Sequence, residues 1–171
     1  MTALSQPARA RFSIERRYPA SLEQAWALWT TRDGIESWWG PEGFRVAVLS
    51  LDLRPGGDLV YQMIADAPEQ VAFMERAGMP LATECRVTYT EVTAPQRLAY
   101  TTLTDFVPGV DPYEVATLVE LEAAGEEVRI VVTFDAMHDD VWTERSRAGH
   151  ESQLAKLTAL LAARRGGMAP A

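Results

Sequence analysis

The hydrophobic pattern of this chain changes period once, near Asp140, and that change constrains the fold more than any other feature. Before it, apolar residues recur mostly at every second position, as in half-buried strands. After it, from Asp140 to Arg164, they recur at the helical period, which predicts one helix of about 25 residues. Its acidic start (Asp139, Asp140) and basic end (Arg164, Arg165) suit the helix dipole. Strands are predicted at Phe12–Tyr18, Phe44–Leu53, Asp58–Ile64, Glu84–Val92, Leu98–Thr104, Val115–Glu122 and Glu127–Phe134. Pro55-Gly56-Gly57, Ala94-Pro95, Pro108-Gly109 and Ala124-Gly125 mark the breaks.

Two short helices fall between the first two strands. Ser21 and Gln24 have the spacing of a capping box, and Leu22, Ala25, Trp26 and Trp29 share the face that follows. Asp33 is placed to cap a second helix carrying Ile35 and Trp38, which Gly40-Pro41 ends. The predicted class is α+β: a curved, seven-stranded antiparallel sheet wrapped around the long C-terminal helix. One helix does not fill a strongly curved sheet, so a cavity between the two is expected.

With 171 residues, the chain is long enough for one domain with a sizeable core. We assign residues 12–165 to that domain and residues 1–11 and 166–171 to flexible tails. The net charge of -8 argues against nucleic acid and anionic membranes as partners. No apolar run approaches the roughly 20 residues of a membrane span, and Met1 to Arg11 lacks the apolar core of a signal peptide. The expected location is cytoplasmic. Cys85 is the only cysteine and reads as a buried structural thiol. Residues 65–82 form an unusually long insertion between strands, with Pro68, Gly78 and Pro80 beside Phe73 and Met74, and are expected to cover one end of the cavity.

The candidate ligand-binding residues follow from these placements. Trp38 and Trp39 are adjacent at a helix end and so point in different directions; either, if exposed, would mark a homodimer patch. Trp26 and Trp29 read as core. Tyr61, Met63, Tyr89, Tyr100, Thr102 and Thr117 lie on the strand alternations expected to face inward. His150 shares a helical stripe with Leu154, Leu157 and Leu161, which must face the sheet. Most core histidines simply bond a neighbour, but an inward imidazole is also the best candidate here for orienting a ligand or for acid–base catalysis. Asp52 and Arg54 are expected to pair and brace the glycine turn. His138, Asp139 and Asp140 read as a solvated helix start rather than a metal site, and no metal or other cofactor is expected. Neither Ser146 nor Ser152 has a placeable histidine–acid pair.

Several of these pieces resemble a known family. Ala25-Trp26, Trp38-Trp39-Gly40-Pro41, Asp52-Leu53-Arg54-Pro55-Gly56-Gly57, Thr90-Glu91-Val92 with Pro95-Gln96-Arg97-Leu98, and Gly149 with Leu154 and Leu157 are similar to the SRPBCC, or START-like, superfamily. Within it they resemble the branch named after the activator of heat-shock protein 90 ATPase. The resemblance implies the helix-grip fold of the birch pollen allergen. The scaffold hosts binders, carriers, cyclases and chaperone partners, so it implies no single activity. An aromatic residue commonly follows the glycine of the last helix, and here it is His150. The resulting expectation is a binder of a small hydrophobic or amphipathic, lipid-like ligand. The alternative is a polyketide cyclase- or hydrolase-like enzyme using His150. Regulation of a chaperone ATPase is the weakest reading.

Overall fold

The computed structural model describes residues 10–105 and 107–167. Seven strands form one sheet: β1 (Arg11–Tyr18), β2 (Phe44–Leu51), β3 (Asp58–Ala65), β4 (Ala82–Thr93), β5 (Arg97–Thr104), β6 (Tyr113–Ala124) and β7 (Glu127–Asp135). Four helices accompany them: α1 (Leu22–Thr30), α2 (Arg32–Trp38), α3 (Pro68–Arg76) and α4 (Asp140–Gly167). The strand order is β1-β7-β6-β5-β4-β3-β2, and each neighbouring pair is antiparallel. Only β1 pairs out of sequence order: the two short helices carry the chain from it to the opposite edge at β2. The architecture is the expected helix-grip fold.

The core lies between the concave face of the sheet and α4. Leu154, Leu157 and Leu161 are buried there against residues such as Ile14, Val119, Ile130 and Phe134. Tyr18, at the end of β1, donates its hydroxyl to the Leu154 carbonyl at 3.3 Å and fastens the helix to the sheet. On the other side of α4, Lys156 Nζ donates to the carbonyls of Gly40 (3.1 Å) and Phe44 (2.9 Å). Ser152 Oγ accepts the Glu42 amide at 3.0 Å. The helix thereby holds the loop that follows the paired tryptophans.

Local signals and structure agree at most element ends. Ser21 and Gln24 form the capping box, with bonds of 3.1 and 2.9 Å. Arg54 Nε sits 2.9 Å from both Asp52 carboxylate oxygens at the tip of the β2–β3 turn. The cap of α2 is a correction: Thr31, not Asp33, caps it, because Thr31 Oγ1 lies 3.0 Å from the Gly34 amide while Asp33 sits in the first turn. The domain bounds also move. Arg11 already belongs to β1, and the Ala10 carbonyl accepts from the Ala136 amide at 2.7 Å. At the other end α4 runs on through Gly167. Residues 1–9 and 168–171, where the rest of both expected tails falls, lie outside the described residues.

Gly34 makes the packing of α1 on α2 possible. A Cβ there would stand 2.2 Å from the Ala27 carbonyl oxygen and 2.7 Å from Leu28 Cα, both backbone atoms that cannot rotate away. Gly34→Ala should therefore lower stability by about 1–3 kcal/mol despite its better helix propensity, measured by urea unfolding.

Candidate functional site

A cavity of about 360 Å³ opens between the sheet and the first half of α4. Its sheet wall is built from cross-strand neighbours. Val87, Thr102 and Val115 lie side by side on β4, β5 and β6, and Tyr100 lies beside Thr117 one pair along. Thr104, Val132 and Tyr61 extend this wall. The tryptophans of α1 and α2 close one end: Trp29 and Trp38 meet edge to face with ring centroids 4.5 Å apart, and Trp39 meets Tyr61 the same way at 5.5 Å. From α4 come Trp142, Arg145, Ser146, His150, Gln153 and Leu154, and Met137 completes the rim. The wall is mostly apolar with a few polar groups, the usual composition of a small-molecule site.

Trp38, Trp39, Tyr61, Tyr100, Thr102, Thr117, His150 and Leu154 all line the cavity. Tyr89 and Met63 do not. Tyr89 is 1% exposed and turns its ring edge-on to Tyr100. Met63 lies one repeat beyond Tyr61 on β3, where it packs against the core. Trp38 and Trp39 are 3% and 5% exposed, so neither forms the surface patch considered for a dimer. The two indoles differ in their polar edges. Trp38 Nε1 donates to the Leu28 carbonyl at 2.8 Å, whereas the buried Trp39 Nε1 has no acceptor among the described residues. None of residues 65–82 lines the cavity, which corrects the expected lid. That segment is drawn to the edge of the sheet instead: the amides of Asp66 and Ala67 both bond the Gly43 carbonyl, and α3 buries Met74 while Phe73 stays exposed.

His150 stacks on Phe134, with ring centroids 4.0 Å apart and planes tilted by 31°. No hydrogen bond ties its imidazole to any described residue. Burial away from water disfavours its charged form and holds its pKa at about 4. The ring is therefore neutral near pH 7 and offers one donor and one acceptor toward the cavity. Burial likewise pushes the Tyr61 and Tyr100 hydroxyls far above their ordinary range, so both remain protonated donors. Cys85 stands opposite Tyr61 on β4, and burial raises its pKa too, in keeping with a structural thiol. His138 belongs to a separate arrangement. Its Nδ1 lies 2.7 Å from the Tyr113 hydroxyl, and Asp139 Oδ1 accepts the Trp142 amide at 2.8 Å to cap α4. Among the described residues no His, Cys, Asp and Glu cluster is arranged to hold a metal.

Sequence reasoning missed Trp29, Thr104 and the α4 residues ahead of His150. The stripe itself held the signal. Continued one and two turns toward the N-terminus, it passes Ser146 and Trp142, with Arg145 and Gln153 on its flank. Gly149 lies between those flanking residues, and a Cβ built on it meets nothing within 4 Å.

The family model described as activator of Hsp90 ATPase homolog 1-like protein matches residues 19–162. No curated protein sequence matches the chain. Among solved structures, the AHSA1 protein of Silicibacter pomeroyi superposes with a TM-score of 0.69 at 23% identity, covering 91% of this chain and 99% of that one. A protein of Chromobacterium violaceum gives 0.70 at 21% identity, with 88% and 96% covered. The AHSA1-like protein of Aeromonas hydrophila gives 0.63 at 20%, with 88% and 94% covered. At these identities the structural likeness speaks for the fold.

Two measurements check the site's energetics. A histidine whose pKa is about 4 in the folded state and near 6.5 unfolded binds its proton more readily in the unfolded chain. Stability should thus fall as pH drops from about 6.5 to about 4, by at most on the order of 3 kcal/mol, and show no His150 contribution above that window. His150→Phe should flatten this part of the pH–stability curve. Separately, Gly149→Ala meets no clash and should raise stability by about 1 kcal/mol through helix propensity, read from the urea midpoint.

Proposed function

Because the chain belongs to the activator of Hsp90 ATPase homolog 1-like family, a family with the helix-grip fold, we propose that it binds a small hydrophobic or amphipathic organic molecule in the cavity between sheet and α4. The observation that carries this reading is the wall itself: a space of about 360 Å³, mostly apolar, into which a few neutral donors and acceptors converge. His150, Tyr61, Tyr100 and the three wall threonines would fix the ligand's orientation. Four of the chain's five tryptophans line the space, so bound ligand would contact indole on several sides.

Two features favour binding over turnover. The His150 imidazole is too weak a base for proton abstraction near neutral pH, where a catalytic pKa works best close to the operating value. Among the described residues the cavity wall also contains no carboxylate to orient it. Ser146 stands one turn away on the same wall, but no hydrogen bond joins it to His150.

Native mass spectrometry of freshly purified protein tests the reading directly. The expected result is a retained small molecule that is released on denaturation. Thr117→Trp, which fills the centre of the cavity, should abolish both this mass increment and the ligand-dependent change in tryptophan fluorescence. Undiminished binding by that variant would refute the cavity as the site. His150→Phe keeps the flat ring on Phe134 and removes the polar atoms. It should weaken binding by roughly 1–3 kcal/mol, the cost of leaving a ligand group unpaired. Unchanged affinity would make His150 a space-filling residue only.

A further inference from the structure

The charges around the cavity narrow the class of ligand. This is an acidic protein, with 24 Asp and Glu against 16 Lys and Arg. Yet among the described residues no carboxylate lines the cavity, and Arg145 is the one charged side chain on its wall. That arginine is exposed, with its guanidinium carbon 5.0 Å from the centroid of the Trp142 ring. It forms no ion pair with any described residue. The positions three and four residues away along α4 are Val141, Trp142, Ala148 and Gly149, so the helix supplies no acidic neighbour. The nearby acids are otherwise placed. Glu144 lies 3.7 Å from Arg147, and Asp139 caps the helix and faces His138. One turn beyond Arg145, Gly149 leaves open space that a side chain would have occupied.

From this arrangement we infer that the ligand is a monoanionic amphiphile, with its apolar body among the tryptophans and its acidic head paired with Arg145 at the mouth. The inference rests on the cavity being the binding site. A planar guanidinium held against an indole is already oriented and partly stripped of water, which suits it to a carboxylate or sulfonate. Ser146, the next residue along the helix, lines the same cavity and offers a neutral hydrogen-bonding group for the same head. Stacked indoles alone would also suit a cationic ligand. Arg145 opposes one, and the wall offers it no counter-charge.

A matched pair of fluorescent probes tests this: anilinonaphthalene sulfonate and its uncharged parent, phenylnaphthylamine. Both should bind the wild-type protein, the anion about three- to tenfold more tightly, in the range of a partly exposed charge-assisted pair. Arg145→Gln should bring the anion-to-neutral affinity ratio to about one, and Arg145→Lys should restore part of the preference. An anion-to-neutral ratio that is the same in Arg145→Gln as in wild type would overturn the inference and leave the cavity reading standing. Failure of Thr117→Trp to weaken either probe would overturn both, since the probes would then sit elsewhere.

Discussion

Everything in this molecule depends on how far α4 can press into the sheet. Along its inward stripe the last three positions are Leu154, Leu157 and Leu161, each buried, with Leu157 at 0% exposure. Leucine in that place exchanges water for close packing, worth about 1.5–3 kcal/mol per side chain. Ahead of Leu154 the stripe changes character to His150, Ser146 and Trp142. Ser146 has too little apolar volume and His150 the wrong polarity to fill the concave face as leucines do, and Trp142 stays only half-buried near the start of the helix. The cavity begins where the leucines end. Its position is a consequence of one helix whose two halves have different chemistry.

The second determinant is the loop after the paired tryptophans. Trp38 is fixed by its bond to the Leu28 carbonyl, and Trp39 by its ring contacts with Tyr61 and Tyr100. Lys156 and Ser152 then hold the backbone just beyond, at Gly40, Glu42 and Phe44. Burial lowers the Lys156 pKa, while Glu42 and Asp66 work against that loss of charge. The same helix thus supplies one wall of the cavity and the clamp that keeps its tryptophan-lined end in place.

Much of this was legible in the sequence, because the deciding signals were periodic. The change of period at Asp140 gave the sheet and the terminal helix, and the stripe through Leu154 pointed His150 inward. What was not legible depended on curvature. Tyr89 and Met63 share the strand alternation of Tyr61 and Tyr100, yet only the latter two reach the cavity, and alternation tells face but not position along a bent surface. The insertion at 65–82 looked like a cover because it carries apolar side chains. A glycine carbonyl at Gly43, invisible to any pattern, fixes its start at the sheet edge. Thr31 outcompeted Asp33 as a cap for a similarly local reason: its hydroxyl reaches the Gly34 amide.

The pairing of β1 with β7 joins the beginning of the domain to its end, Arg11 opposite Asp135, with every other strand between them in the chain. Closing so long a loop costs entropy before any contact repays it, so this pairing is slower to form than those between consecutive strands. The cavity needs both Trp29 from α1 and Leu154 from α4, so no short fragment contains it. During synthesis the strands emerge with their inward tyrosines and tryptophans uncovered, and α4 arrives last. The cavity is therefore the last feature this fold completes, and its apolar lining is the surface that must be kept from other molecules until then.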